Sequence, residues 1–318
     1  MTILVTGASG FVGSALVKRL TADRNSVGVA IAVRRSGVAI PNGVKSIQVG
    51  DLLPITDWGT SLQGISTVVH CAARVHAIND KSSDPLAEFR RVNVEGTANL
   101  ARQAVAAGVR RFVYMSSIKV NGEFTEAGHP FTADDHPLPE DPYGVSKHEA
   151  EQALRQIAAD TGMEVVIIRP PLVYGPGVKA NFESMMRWLA RGVPLPLAAV
   201  TENRRSLVAL DNLVDLIVNC LSHPAAANQT FLVSDGEDLS TADLLRRMGT
   251  AMSHPAHLFY MPLSVLKLGA QVVSNPGIYQ RLCSSLQLDI AKTRQILGWA
   301  PPVSVEEGLL RAAEGFQT

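Results

Sequence analysis

The sequence predicts an α/β fold: a doubly wound parallel sheet over residues 1–168 with a smaller, less regular C-terminal lobe over residues 169–318. Three observations carry this expectation. Short β-branched runs alternate with longer helix-patterned stretches through the first half, and parallel neighbours need such crossovers, which cover both faces of a sheet. A cluster of glycines follows the first of these runs and leads into the first helical pattern. The 318 residues are 46% hydrophobic and 18% charged, enough apolar material for a large core.

The first run, ILVT, lacks the charged start and the apolar length of a secretion signal and reads as a buried strand. Gly7, Gly10 and Gly13 of TGASGFVG then form GxxGxxG, with the next helix expected to open at Ser14. Glycines suit this place because the backbone must turn tightly and approach a pyrophosphate held at a helix N-terminus. The second strand, VAIAV, runs into Arg34 and Arg35, where nucleotide-binding chains often place one acidic residue. An acid there accepts hydrogen bonds from the ribose hydroxyls of NAD, whereas a guanidinium forks onto the 2′-phosphate of NADP. The pair therefore favours NADP(H), with NAD(H) still admissible; two solvated surface arginines would read the same way. Asp51, after SIQVG, is placed either to accept from the adenine amino group or to make a turn.

STVVHCAA supplies the fourth strand, AEFRRVNVEGTANLARQAVAAG a helix, RFVYMSS the fifth strand, KHEAEQALRQIAADTG a second long helix and EVVIIRP the sixth strand. Ligands of such sheets sit beyond the carboxyl ends of the strands, so TGASGFVG, VRRSG, GDLLP, HCAA and SSIKVNG are expected along one edge. Proline-rich turns after Arg169 mark the smaller lobe, from which TFLVS has the pattern of a strand able to rejoin the main sheet. HLFYMPLSVLKLGAQVV is interrupted by Pro262 and Lys267 and falls short of the ~20 residues that a membrane span needs; it reads as a packed core helix.

A formal net charge of zero and the lack of a long basic run point away from nucleic acid and from stable membrane insertion. Cys71, Cys220 and Cys283 are scattered, odd in number and in no CxxC pair, which argues against a disulfide framework or a structural zinc site and for a cytoplasmic setting.

DPYGVSKHEAEQAL sets Tyr143 and Lys147 four residues apart at the start of a helical stretch, hence on one face. An ordinary tyrosine titrates near ~10, but an adjacent ammonium and a cationic nicotinamide favour its phenolate and make it usable for proton transfer. Lys147 is placed to hydrogen-bond the nicotinamide ribose, and Ser117, at the end of the fifth strand, to hold the reacting oxygen.

With GDL, HCAA, VNVEGT, SSIKVNG, YGVSK, RPPLVYGPG, NRRSLVALDNLVD and LGWAPPVSVEEGL added to TGASGFVG, the chain resembles the extended short-chain dehydrogenase/reductases over almost its full length. Within them it is most similar to the NAD(P)-dependent nucleotide-sugar epimerase/dehydratase family. The resemblance implies a Rossmann fold whose C-terminal lobe binds substrate, with catalytic roles for Ser117, Tyr143 and Lys147. It also implies cofactor contacts from Gly7, Ser9, Gly10, Phe11, Val12, Gly13, Arg34, Arg35, Asp51, Leu52, His70, Ala72, Ala73, Tyr143 and Lys147, with Asn93 bracing the active-site helix. Lys119, Asn181, Arg205 and Arg281 are the implied substrate contacts, the last three toward a nucleotide diphosphate. Homodimers built on the two long helices are frequent in this family.

Departures from the family pattern narrow the reaction. Asn121 and Leu172 replace a tyrosine and an asparagine, and Ser206 and Ala209 replace an acid and a ring, which bears on the sugar and phosphate contacts. Ile118 and Lys119 stand where a dehydratase carries its acidic pair, and neither abstracts a proton as a carboxylate does, so loss of water is disfavoured. What remains is hydride transfer at C4 of a UDP-sugar. The first expectation is reduction of a UDP-4-keto-6-deoxy-N-acetylhexosamine, of the UDP-N-acetylquinovosamine type used in O-antigen biosynthesis; the alternative is 4-epimerisation of a UDP-hexose or UDP-N-acetylhexosamine. A third reading, of another class, is a redox sensor that holds dinucleotide without turnover.

Overall fold

The computed structural model describes residues 1–22, 28–35, 41–75, 84–126, 128–272 and 276–316. Six strands of the first half, β1 (Thr2–Thr6), β2 (Gly28–Val33), β3 (Lys45–Gln48), β4 (Thr67–His70), β5 (Arg111–Met115) and β6 (Glu164–Arg169), lie parallel in the order β3-β2-β1-β4-β5-β6. This is the Rossmann order, with its reversal of winding beside β1. Along β1 the side chains alternate: Ile3 and Val5 enter one core with Leu16 and Leu20 of α1 (Phe11–Ala22), while Leu4 enters the opposite core. That second core holds Leu62 of α2 (Gly59–Leu62), which precedes the short α3 (Pro85–Phe89), together with Leu100 and Ala104 of α4 (Thr97–Ala106) and Leu154 and Ile157 of α5 (Pro142–Thr161). Between α3 and α4 the helix widens into a π-helical stretch, Arg90–Gly96.

The start of α1 differs from expectation, and that of α5 is set by its cap. In α1, Gly7 at φ 68° makes the turn and Ser14 N–H already donates to Gly10, so winding begins three residues before Ser14. In α5, Asp141 caps the first turn and Pro142 occupies the first position, so the helix takes in the whole YGVSK motif.

Beyond β6 the chain builds a three-stranded sheet from β7 (Leu172–Tyr174) and β8 (Arg205–Ala209), separated by α6 (Ala180–Ala190), and the later β10. Between these, α7 (Leu210–Ser222) packs against α1, and TFLVS returns as β9 (Thr230–Leu232), parallel to β6, making seven strands in the main sheet. After β10 (Asp238–Leu239) come α8 (Thr241–Ala251), α9 (Leu263–Val272), α10 (Pro276–Cys283), α11 (Ala291–Leu297) and α12 (Val305–Glu314). Tyr174, Phe182, Leu207, Leu245 and Leu309 make a core of their own in this lobe.

Helix α9 departs from expectation. It lies at the surface with Leu263, Val265 and Leu268 exposed, and of its apolar side chains Leu266 packs against the lobe core. Pro262 and Lys267 shorten the apolar run, and among the described residues no helix is long and apolar enough to cross a membrane.

Candidate functional site

The glycine loop is a cradle that side chains would fill. A Cβ on Gly7 would fall 2.6 Å from the Ala72 nitrogen, and one on Gly13 would fall 2.2 Å from the Gly7 carbonyl oxygen. The end of β4 is thereby pressed onto the loop, while Ser9 and Gly10 stay exposed at its crest. The first-turn N–H groups at Phe11, Val12 and Gly13 precede any helical acceptor, which is the donor set that a pyrophosphate needs; the fit to a dinucleotide is good. Past β2, Arg34 and Arg35 are both exposed, and Arg34 Nη1 lies 3.7 Å from Asp51 Oδ1, a loose surface pair. Leu52 is held by the π-helical stretch: a Cβ on Gly96 would meet its carbonyl oxygen at 2.9 Å.

His70 is fully buried under this edge. Its Nδ1 lies 2.7 Å from Thr6 Oγ1 and its Nε2 3.0 Å from Thr97 Oγ1, so the ring is bridged on both sides. Burial first and the Lys147 charge second hold its pKa down to about 3, which keeps the imidazole neutral. Its side chain acts as a strut between β1 and α4, while Ala72 touches the glycine loop through its backbone.

Three elements converge at the end of β5. Ser117 leads a short turn at Ile118–Val120 and its Oγ accepts from Lys119 N–H at 3.3 Å. Tyr143 and Lys147 face the same way from the first turns of α5, which packs on that turn. Lys147 is buried and donates to the Met115 carbonyl at 2.7 Å, with Nζ 4.6 Å from the Tyr114 ring centre and 5.9 Å from that of Tyr143. Burial pulls its pKa down to about 8, against the opposing charges of Cys71 and Glu151. The phenol of Tyr143 is pushed the other way from expectation, well above 10, by burial and then by the Asp141 carboxylate. Burial and the Asp141 carboxylate together favour the protonated phenol, although the Lys147 ammonium lies 5.9 Å from the ring centre.

Asn93 braces this helix as expected: its amide donates to Ser146 Oγ at 3.0 Å and to the Arg74 carbonyl at 3.1 Å. Arg205, at the start of β8, donates to the Ser284 carbonyl at 3.0 Å, and burial depresses its pKa in spite of the Glu123 charge nearby. Asn181 on α6 and Arg281 on α10 are both exposed on the smaller lobe. Lys119 has its ammonium committed to two carboxylates, Asp141 Oδ2 at 2.6 Å and Glu123 Oε1 at 2.8 Å.

The NAD dependent epimerase/dehydratase family model matches residues 3–234. The chain belongs to that family. A UDP-glucose 4-epimerase of Vibrio cholerae is 49% identical over 315 residues, 99% of this chain and 95% of that protein. Among solved structures, the UDP-glucuronic acid 4-epimerase of Bacillus cereus in complex with NAD has TM-score 0.79 at 21% identity, covering 99% of this chain and 96% of that one. MoeE5 in complex with UDP-glucose and NAD has TM-score 0.77 at 28% identity, with 99% and 98% covered.

Behind the family's catalytic positions lies a buried network that sequence reading missed. Glu151 Oε1 accepts from Ser116 Oγ at 2.5 Å and from Arg169 Nε at 2.9 Å; Arg169 also reaches Glu151 Oε2 at 2.5 Å and Asn121 Oδ1 at 2.9 Å. Asn121, in place of the family's tyrosine, passes the chain of bonds to the Thr132 carbonyl. Asp141, which caps α5, did have a sequence signal, the Asp-Pro pair at 141–142 that marks a helix start.

Proposed function

We propose that this family member is a UDP-sugar 4-epimerase that removes and returns a hydride at C4. The observation that carries the proposal is 49% identity along 99% of the chain to a UDP-glucose 4-epimerase, with Ser117, Tyr143 and Lys147 all present at one strand edge. A bound nicotinamide dinucleotide supplies the hydride acceptor and donor; the glycine loop, Lys147 and the end of β4 are the residues that would hold it. Lys147 spends one of its three N–H donors on Met115, leaving two for the ribose hydroxyls. Ser117 orients the C4 oxygen, and Tyr143 takes its proton on oxidation and returns it on reduction. Arg205 would meet the diphosphate.

Incubation with UDP-glucose or UDP-N-acetylglucosamine tests the reading. The expected result is formation of the galacto-configured partner with no net change at the reduced-nicotinamide absorbance band. Stoichiometric loss of NADPH with a UDP-4-keto-6-deoxy sugar, and no interconversion, would move the assignment to the 4-ketoreductase. That second reading is favoured by Arg34 and Arg35, because NADPH is the cell's reducing supply.

Epimerisation is redox-neutral and selects neither dinucleotide by itself. The arginine pair leads us to propose NADP(H) as the preferred form, with NAD(H) accepted. Replacing both arginines with alanine is expected to weaken NADP binding by about 10- to 100-fold and NAD binding by about twofold or less, as read by fluorescence titration. Equal losses for the two would remove the arginines from the 2′-phosphate.

A further inference from the structure

We propose that Lys119 is a positioning residue, which ties the turn carrying Ser117 to the first helical turn carrying Tyr143 and cancels the negative charge that Asp141 places beside the Tyr143 phenol. The proposal rests on Tyr143 being the proton-transferring group.

Lys119 joins the two elements by three handles. Its N–H donates to Ser117 Oγ, its carbonyl oxygen lies against Gly144 where a Cβ would come within 2.7 Å, and its ammonium reaches Asp141 Oδ2 at 2.6 Å. Asp141 uses its other oxygen to accept from Gly144 N–H at 2.6 Å, the capping bond of α5. One carboxylate thus caps the catalytic helix and anchors the catalytic turn. Glu123 completes the cluster, bound to the same ammonium, with Arg205 electrostatically coupled to it from β8. The side chains of Lys119, Asp141 and Glu123 are 33, 21 and 31% exposed, so solvent screens them only in part.

Lys147 faces Tyr143 from its own helix, Asp141 from the cap and Tyr114 from β5. Arg74 lies 5.8 Å over the Phe89 ring, whose neighbour at 6.0 Å is Tyr143, and is itself paired loosely with Glu88 at 4.0 Å. After burial, Asp141 is the group that works against the phenolate. Its own ammonium partner is Lys119, and burial of that ammonium is outweighed by the hydrogen bonds and charges of Asp141 and Glu123, which raise its pKa. Loss of Lys119 removes the ammonium that both carboxylates share and the ionic tie of the Ser117 turn to Asp141.

The experiment compares Lys119→Gln, Lys119→Arg, Asp141→Asn and the Lys119→Gln/Asp141→Asn pair by UDP-sugar interconversion across pH, with dinucleotide affinity measured separately by titration. In Lys119→Gln the low-pH limb of kcat is expected to move up by about one pH unit, with kcat near neutrality down about tenfold and dinucleotide affinity within about twofold. Lys119→Arg restores the profile. Asp141→Asn keeps the cap, because asparagine caps a helix as well as aspartate, and moves the limb down; the double variant returns it toward the wild-type position. An unmoved limb in Lys119→Gln, a rise in KM alone, or a loss that neither Lys119→Arg nor the double variant reverses would each overturn the proposal. Tyr143→Phe separates the two levels: if it stays active the functional reading fails, and if it is inactive while Lys119→Gln keeps the wild-type profile, the role of Lys119 alone fails.

Discussion

Tyr143→Phe is expected to lower kcat by about a thousandfold while leaving dinucleotide affinity within about twofold. The substitution removes one oxygen and keeps the ring, whose edge packs on Phe89 at a centroid distance of 6.0 Å, so the start of α5 keeps its shape. What is lost is the hydroxyl proposed to accept and return the proton at the C4 oxygen. His70 cannot replace it, because it is neutral, fully buried and bridged between Thr6 and Thr97. Lys147 cannot either, since its ammonium is bound to the Met115 carbonyl behind the ring. Hydride removal without proton removal would leave a protonated ketone, and hydride return without a proton would leave an alkoxide. Steady-state turnover and a dinucleotide titration on the same preparation check both halves; unaltered turnover would take Tyr143 out of the mechanism.

Glu151→Ala is expected to be the most damaging single change to stability, by about 3–5 kcal/mol. Glu151 and Arg169 are 1% and 2% exposed, so truncating the acid strands a guanidinium away from water with Asn121 as its remaining partner, and leaves Ser116 Oγ without its acceptor. Replacing both members of the pair, as Glu151→Met/Arg169→Met, should recover a large part of the loss, because the expense lies in the unpaired charge rather than in the missing attraction. Chemical denaturation of the single and double variants measures this directly, and a single-variant loss below about 1 kcal/mol would show that solvent reaches the guanidinium.

The centre of the main sheet was legible in the sequence because β1, β2, β4, β5 and β6 are almost wholly buried and are written as short apolar, mostly β-branched runs; the exposed edge strand β3 is not. The glycine loop was legible because φ 68° at Gly7 and the 2.2 Å approach at Gly13 leave no room for a side chain. Tyr143 and Lys147 were legible because four residues is a helical repeat. Glu151, by contrast, is four residues beyond Lys147 and looks like any exposed acid on a charged helix; its burial depends on Arg169, which arrives from a different strand. Lys119 read as a substrate contact because its position follows Ser117, and its two carboxylate partners lie 4 and 22 residues away along the chain. The surface position of α9 was hidden for a similar reason: an apolar composition says that a helix has something to cover, not that the lobe beneath it has room.

The segment after α10 has a further consequence. Ser285 and Leu288 bridge to Thr125 and Phe131, while Leu286, Leu288 and Ile290 share a small core with Ile118 and Leu232. The floor under the turn that follows Ser117 is therefore laid by residues from the last tenth or so of the chain, past the end of the region matched at 3–234. Truncation at that boundary would remove the packing under Ile118 and the Thr125 and Phe131 bridges, so sequence drift in the tail has a mechanical route to the position of Ser117.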